Sequence, residues 1–343
     1  MQTEAMKQDA GIFIDSRFDA EYRRHPITLV DVGARGGVKR NWSAAAPHLR
    51  VLGFEPDRTE YDRLVQHARA GGSEHEYFNI ALHSQPGTLD LYLARDRGLS
   101  SIFEPDRTFL DAFPDAGRFD TDAVQQIKVD TLDNQLRSRG IDDIDFIKAD
   151  TQGSELFVLQ GAAHALAASA VGVEVEVEFT PIYRGQPVFA EVDSFMRGLG
   201  YLLFDLKPCY WKRAAGWKAG GSYGQIVWAD ALYLKSVPAL ERTLVGLRPE
   251  ARKSKVLRAI SIALLYGYYD YALEIGARAG EALSEDERAF IAHRLREGGE
   301  RHGPLPAFPG RRRLASAFRR LWKLCRLPNE GWSVSDAGIG NRD

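Results

Sequence analysis

Three carboxylate residues of this chain, Asp31, Glu55 and Asp150, stand where chemistry could be carried out. Each follows a short apolar run that indicates a buried strand, and each precedes a turn. In an open α/β sheet, ligands bind outside the carboxyl ends of the strands. A carboxylate at that edge can accept hydrogen bonds from hydroxyl groups or take up a proton. We therefore expect these side chains to lie along one edge of a sheet and to bind a ligand there.

The turn after Asp31, residues 32–37, contains glycine at positions 33, 36 and 37. Glycines let the backbone approach a ligand where a Cβ atom would clash, as in phosphate- and nucleoside-binding turns. The spacing is not the GxGxxG of dinucleotide-binding enzymes, which argues against an NAD-dependent enzyme, and the lysine of a P-loop is missing. A tight turn between a strand and a helix would use the same glycines without any ligand, so the turn alone does not decide.

Glu55 follows Asp31 at roughly the 20-residue interval at which an acid binds ribose hydroxyls in nucleotide-binding folds. Pro56 ends the strand and can begin the next helix. A single acid at a strand end is usually only solvated. Together with the glycine turn one unit earlier, however, Glu55 favours a nucleoside site.

Asp150 is followed by a Thr-Gln-Gly turn and by Ser154, which is suited to cap a helix. The next predicted strand, residues 170–179, alternates Glu174, Glu176 and Glu178 with apolar residues. A period of two places the three carboxylates on one face. We expect the last of them to face water, a cation or the mouth of the site, while ion pairs with basic neighbours are the alternative for Glu174 and Glu176.

The composition excludes several classes of protein. The chain has 343 residues and a formal net charge of -2, which gives no reason to expect a nucleic-acid partner. Its two cysteines are far apart in sequence and form no disulfide framework, so a reducing compartment, the cytoplasm, is expected. The polar residues 1–15 do not resemble a signal peptide. The apolar stretch 256–275 is interrupted by charges and predicts one or two helices rather than a membrane span.

The order of apolar patterns predicts four parts: an N-terminal helical segment (1–26), a domain of alternating strands and helices (27–236), a helical extension (237–302) and a tail (303–343). Residues 75–80 and 88–93 are expected to form a hairpin, and residues 106–122 a surface excursion or lid. Between two late strands, residues 207–223 are expected to form a loop in which Tyr210, Trp211, Trp217 and Tyr223 either stack on a sugar or lipid head group or pack onto the domain.

The tail contains a basic amphipathic segment, residues 311–326, with seven basic and no acidic residues. Leu314, Phe318, Leu321, Trp322 and Cys325 recur at helical spacing. Such a helix suits a peripheral contact with an anionic membrane surface, although it could also dock on its own protein through the same residues. After a linker at residues 303–310 and this helix, the remaining tail from residue 328 is expected to be disordered.

Four motifs occur in order along the chain, at residues 31–37, 54–56, 79–81 and 145–155. In this combination, the chain resembles the FkbM family of S-adenosylmethionine-dependent methyltransferases over residues 28–234. At the last motif it reads KADTQGSE, keeping the family's lysine, aspartate, glycine and glutamate, with Thr151 in place of a valine. Many relatives carry asparagine where this chain has Arg35. Residues 176–186 resemble a subset of the family linked to glycan and secondary-metabolite tailoring.

The resemblance implies an α/β fold with a Rossmann-like seven-stranded sheet, mostly parallel with an antiparallel last strand and helices on both faces, to which the all-α C-terminal extension is added. It implies S-adenosylmethionine as cofactor and S-adenosylhomocysteine as product. The glycine turn would hold the methionine part, Glu55 the ribose, and Asn79 and Ser101 the adenine side. The cofactor-binding residues expected from the resemblance are Asp31, Gly33, Ala34, Arg35, Gly36, Glu55, Pro56, Asn79, Ala81, Ser101 and Asp150.

The expected acceptor is a hydroxyl of a saccharide, a glycolipid or a related small molecule. A hydroxyl is a poor nucleophile and needs a general base or a cation. Asp150 is the first candidate base, with Glu155 and Glu176 behind it, although Asp150 could instead bind the cofactor amine. A divalent ion shared by Asp150, Glu176 and Glu178 is an alternative that no spacing requires. The competing function is a non-catalytic, cofactor-binding adaptor held at a membrane surface by the basic helix.

Overall fold

The protein is seen in a computed structural model that describes residues 16–71, 74–219, 224–301, 308–325, 331–335 and 339. Its strands are β1 Ile27–Val32, β2 Leu49–Phe54, β3 His75–Phe78, β4 Ala81–Leu82, β5 Gly87–Ala94, β6 Thr121–Asp130, β7 Phe146–Ala149, β8 Gly172–Glu178, β9 Tyr201–Trp211, β10 Gln225–Lys235 and β11 Ser333–Ser335.

Helices connect and cover these strands. They are α1 Ser16–Arg24, α2 Arg58–Gly71, α3 Arg107–Leu110, α4 Leu132–Ser138, α5 Glu155–Gln160, α6 Ala163–Ala168, α7 Phe189–Gly198, α8 Val237–Leu244, α9 Pro249–Leu265, α10 Tyr269–Ala277, α11 Glu285–Arg301 and α12 Arg311–Cys325. Among the described residues no helix is both long and apolar enough to cross a membrane, and the stretch predicted at 256–275 is divided between α9 and α10.

The main sheet has the strand order β11-β9-β10-β8-β7-β1-β2-β3. The five strands from β8 to β3 in this order are parallel, while β10 is antiparallel to both of its neighbours. Apart from the short edge strand β11, this is the seven-stranded, mostly parallel sheet with an antiparallel last strand that the resemblance implies. The predicted fold class is therefore confirmed.

Two hydrophobic cores lie on opposite faces of this sheet. Successive side chains of β1 alternate between them, with Ile27 and Leu29 on one face and Val30 and Val32 on the other. The helices α4 to α7 cover the second face. The first face is covered by α1, by a 3₁₀ helix at Arg40–His48 and by α8 to α11. The C-terminal helices thus complete the α/β sandwich, and the division predicted after residue 236 does not separate two cores.

A buried ion cluster joins α9 to the sheet. Asp145 is fully buried before β7, and its carboxylate accepts hydrogen bonds from Thr28 N (2.9 Å) and from Lys255 Nζ (2.7 Å). Lys255 also donates to Ile144 O (3.0 Å), and Arg258 Nη1 lies 3.2 Å from Asp145. Because a buried carboxylate needs partners, these bonds fix the position of α9 on the sheet.

A second, three-stranded sheet has the order β4-β6-β5. The hairpin predicted between residues 75–80 and 88–93 is wrong, because β5 pairs along its whole length with β6 in antiparallel orientation. β6 extends over Thr121–Asp130, and its length provides a partner for all of β5.

The loop predicted at residues 207–223 is wrong for residues 207–211, and Trp211 follows the alternative of packing onto the domain. β9 continues to Trp211, so Tyr210 and Trp211 belong to a strand, and Trp211 is buried. Residues 106–122, expected as a surface excursion, pack Phe113 and Phe119 against the Trp211 ring at centroid distances of 5.4 Å and 6.1 Å. Trp217 lies in a turn with Lys218 Nζ 4.9 Å from the centre of its ring, and Tyr223 is outside the described residues.

Part of the tail is ordered, contrary to the prediction of disorder from residue 328. Ser333–Ser335 pair in antiparallel orientation with residues 209–211 of β9. The predicted helix is present as α12, which ends at Cys325. Residues 1–15 of the N-terminal segment, residues 302–307 of the linker, and residues 326–330, 336–338 and 340–343 of the tail lie outside the described residues.

Candidate active site

A cavity of about 230 Å³ opens at the carboxyl ends of β1, β2 and β7. The apolar face of the second sheet forms its opposite wall. The residues that line it are Val32, Gly33, Arg35, Phe54, Glu55, Pro56, Asp57, Ala81, Leu82, His83, Leu89, Leu91, Leu93, Arg97, Gly98, Ser100, Ile102, Ile127, Val129, Asp150, Thr151, Gln152 and Ser154. All three strand-end acids lie at this edge, and two of them, Glu55 and Asp150, reach the cavity.

Gly33 begins the turn after β1 and requires glycine for two reasons. Its φ is +69°, and a Cβ atom there would lie 2.0 Å from Asp150 O. The turn after β1 therefore packs directly on the end of β7, and the two form one wall of the cavity. Arg35 follows and donates from Nη2 to Asp57 Oδ2 at 2.7 Å, which ties this turn to the chain after β2.

Glu55 is buried at the end of β2, and its Oε1 accepts a hydrogen bond from Asp57 N at 2.9 Å. Burial raises its pKa above the ordinary value, although this hydrogen bond lowers it. Asn79 lies behind, where its Nδ2 donates to the backbone oxygens of Glu55 and Pro56 at 2.9 Å each. Asn79 thus shapes the turn that presents Glu55 and does not itself line the cavity.

Lys148 links Asp31 to Asp150. Its Nζ donates to Gly33 O at 2.9 Å and lies 3.2 Å from Asp31 Oδ1 and 3.8 Å from Asp150 Oδ2. Burial lowers the pKa of Lys148, but the charges of Asp31 and Asp150 raise it above the ordinary value, so the ammonium remains charged. Asp31 is buried against this ammonium and does not reach the cavity.

Gln152 lines the cavity and joins two acids. Its Nε2 donates to Asp150 Oδ1 at 3.1 Å and to Glu176 Oε1 at 2.9 Å, while its Oε1 accepts from Tyr183 Oη at 3.2 Å. The backbone of Gln152 has a φ of +58°, an uncommon conformation for a residue with a side chain. Such strain is often found where a side chain has to be held for function.

The side chain of Asp150 is about one third exposed, which makes it the accessible member of this group. Glu176 is half-buried. Burial and the neighbouring carboxylates of Asp150 and Glu178 raise the pKa of Glu176 well above its ordinary value. Glu176 therefore keeps its proton to a higher pH than an ordinary glutamate does, as in other sites where carboxylates are close together.

Glu155 has a different position. Its two carboxylate oxygens accept hydrogen bonds from Thr151 N (2.6 Å) and Gly153 N (2.9 Å), and the residue is buried beneath the turn after β7. Burial raises its pKa to about 7. The geometry gives the predicted role as a base no support, since both oxygens are used to hold the turn. Ser154, which was expected to cap α5, makes no cap hydrogen bond with its side chain.

The acids of β8, Glu174, Glu176 and Glu178, have different surroundings. Glu174 is buried and pairs with Lys39 Nζ at 2.6 Å, and it also accepts from Tyr266 Oη at 2.7 Å. Only this acid follows the ion-pair alternative. Glu178 is buried as well, so the prediction that the last acid of the row faces water or the mouth of the site is wrong.

The second sheet supplies an apolar wall. Leu89 and Leu91 of β5 and Ile127 and Val129 of β6 face the cavity, beside Ala81. Ser100 lines the mouth. Its neighbour Ser101 is buried, and its Oγ donates to Gln152 O at 2.6 Å, so Ser101 holds the turn after β7 instead of lining the cavity.

The predicted site residues therefore form two groups. Those that line the cavity are Gly33, Arg35, Glu55, Pro56, Ala81 and Asp150; those that do not line it are Asp31, Ala34, Gly36, Asn79, Ser101, Glu155 and Glu176. Sequence reasoning gave no role to Lys148 or Gln152. A lysine inside the apolar run of β7 was a signal for a buried carboxylate partner, whereas nothing in the sequence indicated the positive φ of Gln152.

Within the described part of the chain, no group of three or more His, Cys, Asp or Glu side chains is arranged to hold a metal ion. The alternative of a divalent ion shared by Asp150, Glu176 and Glu178 thus gains no support. The groups around Asp150 are instead a lysine, an amide and a second carboxylate.

In the main sheet, the antiparallel strand β10 lies between β8 and β9. This sheet order and the cavity at the carboxyl edge define the Rossmann-like class of S-adenosylmethionine-dependent methyltransferase folds. A profile of the methyltransferase FkbM domain matches residues 31–203, about half of the chain. The chain belongs to the FkbM methyltransferase family. No curated protein sequence matches it.

Solved structures are similar at low overall scores. Magnesium protoporphyrin IX methyltransferase (ChlM) from Synechocystis PCC 6803, with bound SAM, has a TM-score of 0.32 and 9% identity over 67% of this chain and 80% of that chain. TehB from Haemophilus influenzae has a TM-score of 0.32 and 10% identity over 64% and 60%. A TehB-like SAM-dependent methyltransferase from Corynebacterium glutamicum has a TM-score of 0.27 and 14% identity over 67% and 88%.

Proposed function

We propose that the cavity binds S-adenosylmethionine and that the protein methylates a hydroxyl of a saccharide, a glycolipid or a related metabolite. The observation that carries the proposal is the position of Asp150. This accessible carboxylate reaches the cavity at the end of β7, next to the glycine turn and linked through Gln152 to a second acid.

The residues of the cavity fit this cofactor. Glu55 presents a carboxylate that can accept hydrogen bonds from both ribose hydroxyls. The apolar wall of Leu89, Leu91, Ile127 and Val129 offers a surface on which a purine ring can pack. S-adenosylmethionine supplies an electrophilic methyl group on a sulfonium.

Asp150 is suited to take the proton of the acceptor hydroxyl. One of its oxygens accepts from Gln152, and the other lies 3.8 Å from Lys148 Nζ, so the side chain is held in place from two sides. Methyl transfer needs the acceptor oxygen in line with the bond that breaks. Holding the acceptor in this position contributes much of the acceleration. Glu176 accepts a hydrogen bond from the same Gln152 amide and so helps to hold the side chain that positions Asp150.

A hydroxylated acceptor agrees with the polar residues that line the cavity. Arg97, Ser100, Thr151 and Gln152 are among them. These side chains can donate hydrogen bonds to, or accept them from, several hydroxyls of one molecule. The two cysteines, Cys209 and Cys325, are both free thiols, which supports a reducing compartment and hence a cytoplasmic location.

The cofactor site is tested by replacing Glu55 with Gln. Loss of a charged hydrogen-bonding group is expected to weaken S-adenosylmethionine binding by about 10- to 100-fold, measured by isothermal titration calorimetry. Glu76→Gln is the matched control, because Glu76 is an exposed acid on the neighbouring strand β3 and pairs with Arg50. No binding by the wild type, or equal binding by wild type and Glu55→Gln, would overturn the assignment.

Asp150→Asn separates the roles of Asp150. Lost methyl transfer with intact cofactor affinity supports the base, whereas lost affinity supports a contact with the cofactor amine. The second candidate function, an adaptor without catalysis, is favoured by the exposed apolar face of α12. It predicts cofactor binding without turnover of any hydroxylated acceptor by the wild type.

A further inference from the structure

The helix α12 carries an apolar face that the described structure leaves open. Leu314, Phe318 and Leu321 are 49%, 62% and 56% exposed, and they recur at intervals of four and three residues. At 100° per residue, these positions fall within one narrow arc of the helix. Large apolar side chains grouped in this way on a surface usually mark a contact with a partner or with lipid.

The charge of the same helix is entirely positive. Its basic residues are Arg311, Arg312, Arg313, Arg319, Arg320 and Lys323, and it contains no acid. Arg312, Arg313 and Arg320 are exposed and fall outside the apolar arc. The helix therefore presents an apolar face with basic residues around it, which is the pattern of helices that lie in the plane of an anionic membrane surface.

The end of α12 is held close to the sheet. Only residues 326–330 separate Cys325 from Gly331, a connection that spans at most about 20 Å. The chain then forms β11, paired with Cys209, Tyr210 and Trp211 at the carboxyl end of β9. β9 runs in the same direction as β8, because both are antiparallel to β10. The helix is thus tethered at the edge of the sheet on which the cavity opens.

We propose that α12 binds an anionic lipid surface, with Leu314, Phe318 and Leu321 inserted between the head groups. Charge decides between this occupant and a second copy of the chain. Two copies joined through this face would bring two all-positive helices together, which is unfavourable, whereas anionic lipid complements them. The proposal is independent of the cofactor and of the acceptor.

The test is co-sedimentation of the full-length protein with vesicles. One set contains phosphatidylcholine only, and the other contains phosphatidylcholine with phosphatidylserine. Binding is expected for the anionic vesicles alone at low salt, and it should weaken at high salt because ions screen the attraction. Equal sedimentation with both sets, or with neither, would overturn the proposal.

Point variants assign the binding to this helix. The double variant Phe318→Asp/Leu321→Asp is expected to weaken binding to anionic vesicles by at least about tenfold, because it removes two inserted side chains. Val245→Asp is the matched control, since Val245 is an apolar residue with 77% exposure outside α12. It should bind as the wild type does. Truncation at Gly310 is less suitable, because it also removes β11.

Two further measurements exclude unfolding of the variant and dimer formation as causes of a change in vesicle binding. Circular dichroism and thermal unfolding establish that the double variant is folded. Analytical ultracentrifugation tests the other occupant, a second copy: a wild type that is dimeric and becomes monomeric in Phe318→Asp/Leu321→Asp without a change in vesicle binding would overturn the proposal. A wild type whose mass is the same as that of the variant, together with reduced vesicle binding by the variant, supports it.

Discussion

At the residue scale, Asp150 has polar neighbours on both sides. Lys148 Nζ lies 3.8 Å from its Oδ2, and Gln152 Nε2 donates to its Oδ1 and to Glu176 Oε1. The carboxylate is thus held in one orientation beside a second acid whose pKa is raised. The positive φ of Gln152 matters here, because it places one amide between two carboxylates.

Gly33 is expected to be the glycine of the first turn that tolerates substitution least. In Gly33→Ala, the added Cβ atom would lie 2.0 Å from Asp150 O, so the turn has to move away from β7. In Gly36→Ala, no atom lies within 4 Å, and only the strain of a positive φ remains, about 1–2 kcal/mol. Denaturant unfolding and cofactor titration should show a larger loss for Gly33→Ala in both measurements. Equal losses would contradict this account.

Glu176 is expected to make the stability of the protein depend on pH. Its pKa is raised by burial and by Asp150, so between the unfolded value near 4.5 and the folded value the native state binds more protons than the unfolded state. The favourable contribution is fully present below about pH 4.5 and is lost as the pH rises through the folded pKa. Glu176→Gln should therefore lose less stability than the wild type between pH 5 and pH 8.

The measurement for this prediction is thermal unfolding of wild type and variant across that pH range. Glu76→Gln serves as control, because Glu76 is exposed and its replacement should leave the pH dependence unchanged. A wild type and a Glu176→Gln variant with parallel pH profiles would show that the buried acid does not titrate in this range.

The position of a side chain can be predicted from the sequence when it follows from the residue's place in a strand. Asp31, Glu55 and Asp150 could be predicted to share an edge because each follows a parallel strand. It could not be predicted that Asp31 is turned away from the cavity towards Lys148, since that depends on which face of β1 and β7 each side chain occupies.

At the element scale, long-range contacts of polar groups attach α9 to the sheet. Lys255 extends from α9 into the core and donates to Asp145 and Ile144 O before β7. The same helix supplies apolar residues to the first core, including Leu257 and Ile260. A helix that combines an apolar stripe with one buried ion pair is fixed in both position and orientation.

Lys255→Met is expected to destabilise the protein by roughly 3 kcal/mol, because it leaves the buried carboxylate of Asp145 without its nearest cation. The double variant Lys255→Met/Asp145→Asn should recover part of this loss. Arg278→Met is the control, since Arg278 pairs with Glu241 at 2.8 Å on the surface and should contribute less than about 1 kcal/mol. Urea unfolding measures all three, and an equal loss for Lys255→Met and Arg278→Met would contradict the assignment.

Elements were predicted with unequal success for a physical reason. β1, β2 and β7 of the parallel sheet are short, largely apolar runs, and these were recognised. β6 is largely exposed over Thr121–Gln126, so its first half lacks such a run, and its pairing with β5 was missed. A partner that is distant in sequence and polar on its outer face leaves little signal in the local pattern.

At the scale of the whole molecule, the C-terminal third of the chain has two roles. The helices α8 to α11 cover one face of the sheet, and the segment after them carries α12 and returns as β11. The helical extension predicted at residues 237–302 corresponds to helices that pack on one face of the sheet.

Trp332 is expected to hold the returning segment. Its ring lies 5.5 Å from the Trp211 ring in a T-shaped arrangement, Arg118 Cζ lies 4.8 Å from its centre, and its carbonyl accepts from Lys212 N at 2.8 Å. In Trp332→Ala, hydrogen–deuterium exchange should increase in the peptides that cover residues 209–212 and 331–335. The strands β1 and β7 should be unaffected.

The control is Trp217→Ala, because Trp217 lies in a turn outside this contact. It should leave the exchange of residues 331–335 unchanged. If Trp332→Ala also leaves that exchange unchanged, the backbone pairing of β11 is sufficient to hold the segment without the ring.

The short strand β11 has a consequence for the solubility of the protein. β9 is the last long strand on its side of the sheet, and β11 occupies the outer hydrogen-bonding positions of its carboxyl end. An open strand edge is a template on which another chain can add, leading to edge-to-edge association and aggregation. Ser333–Ser335 would thus block this part of the sheet edge. A shortened form that ends before residue 333 would associate more readily even though its cavity is intact.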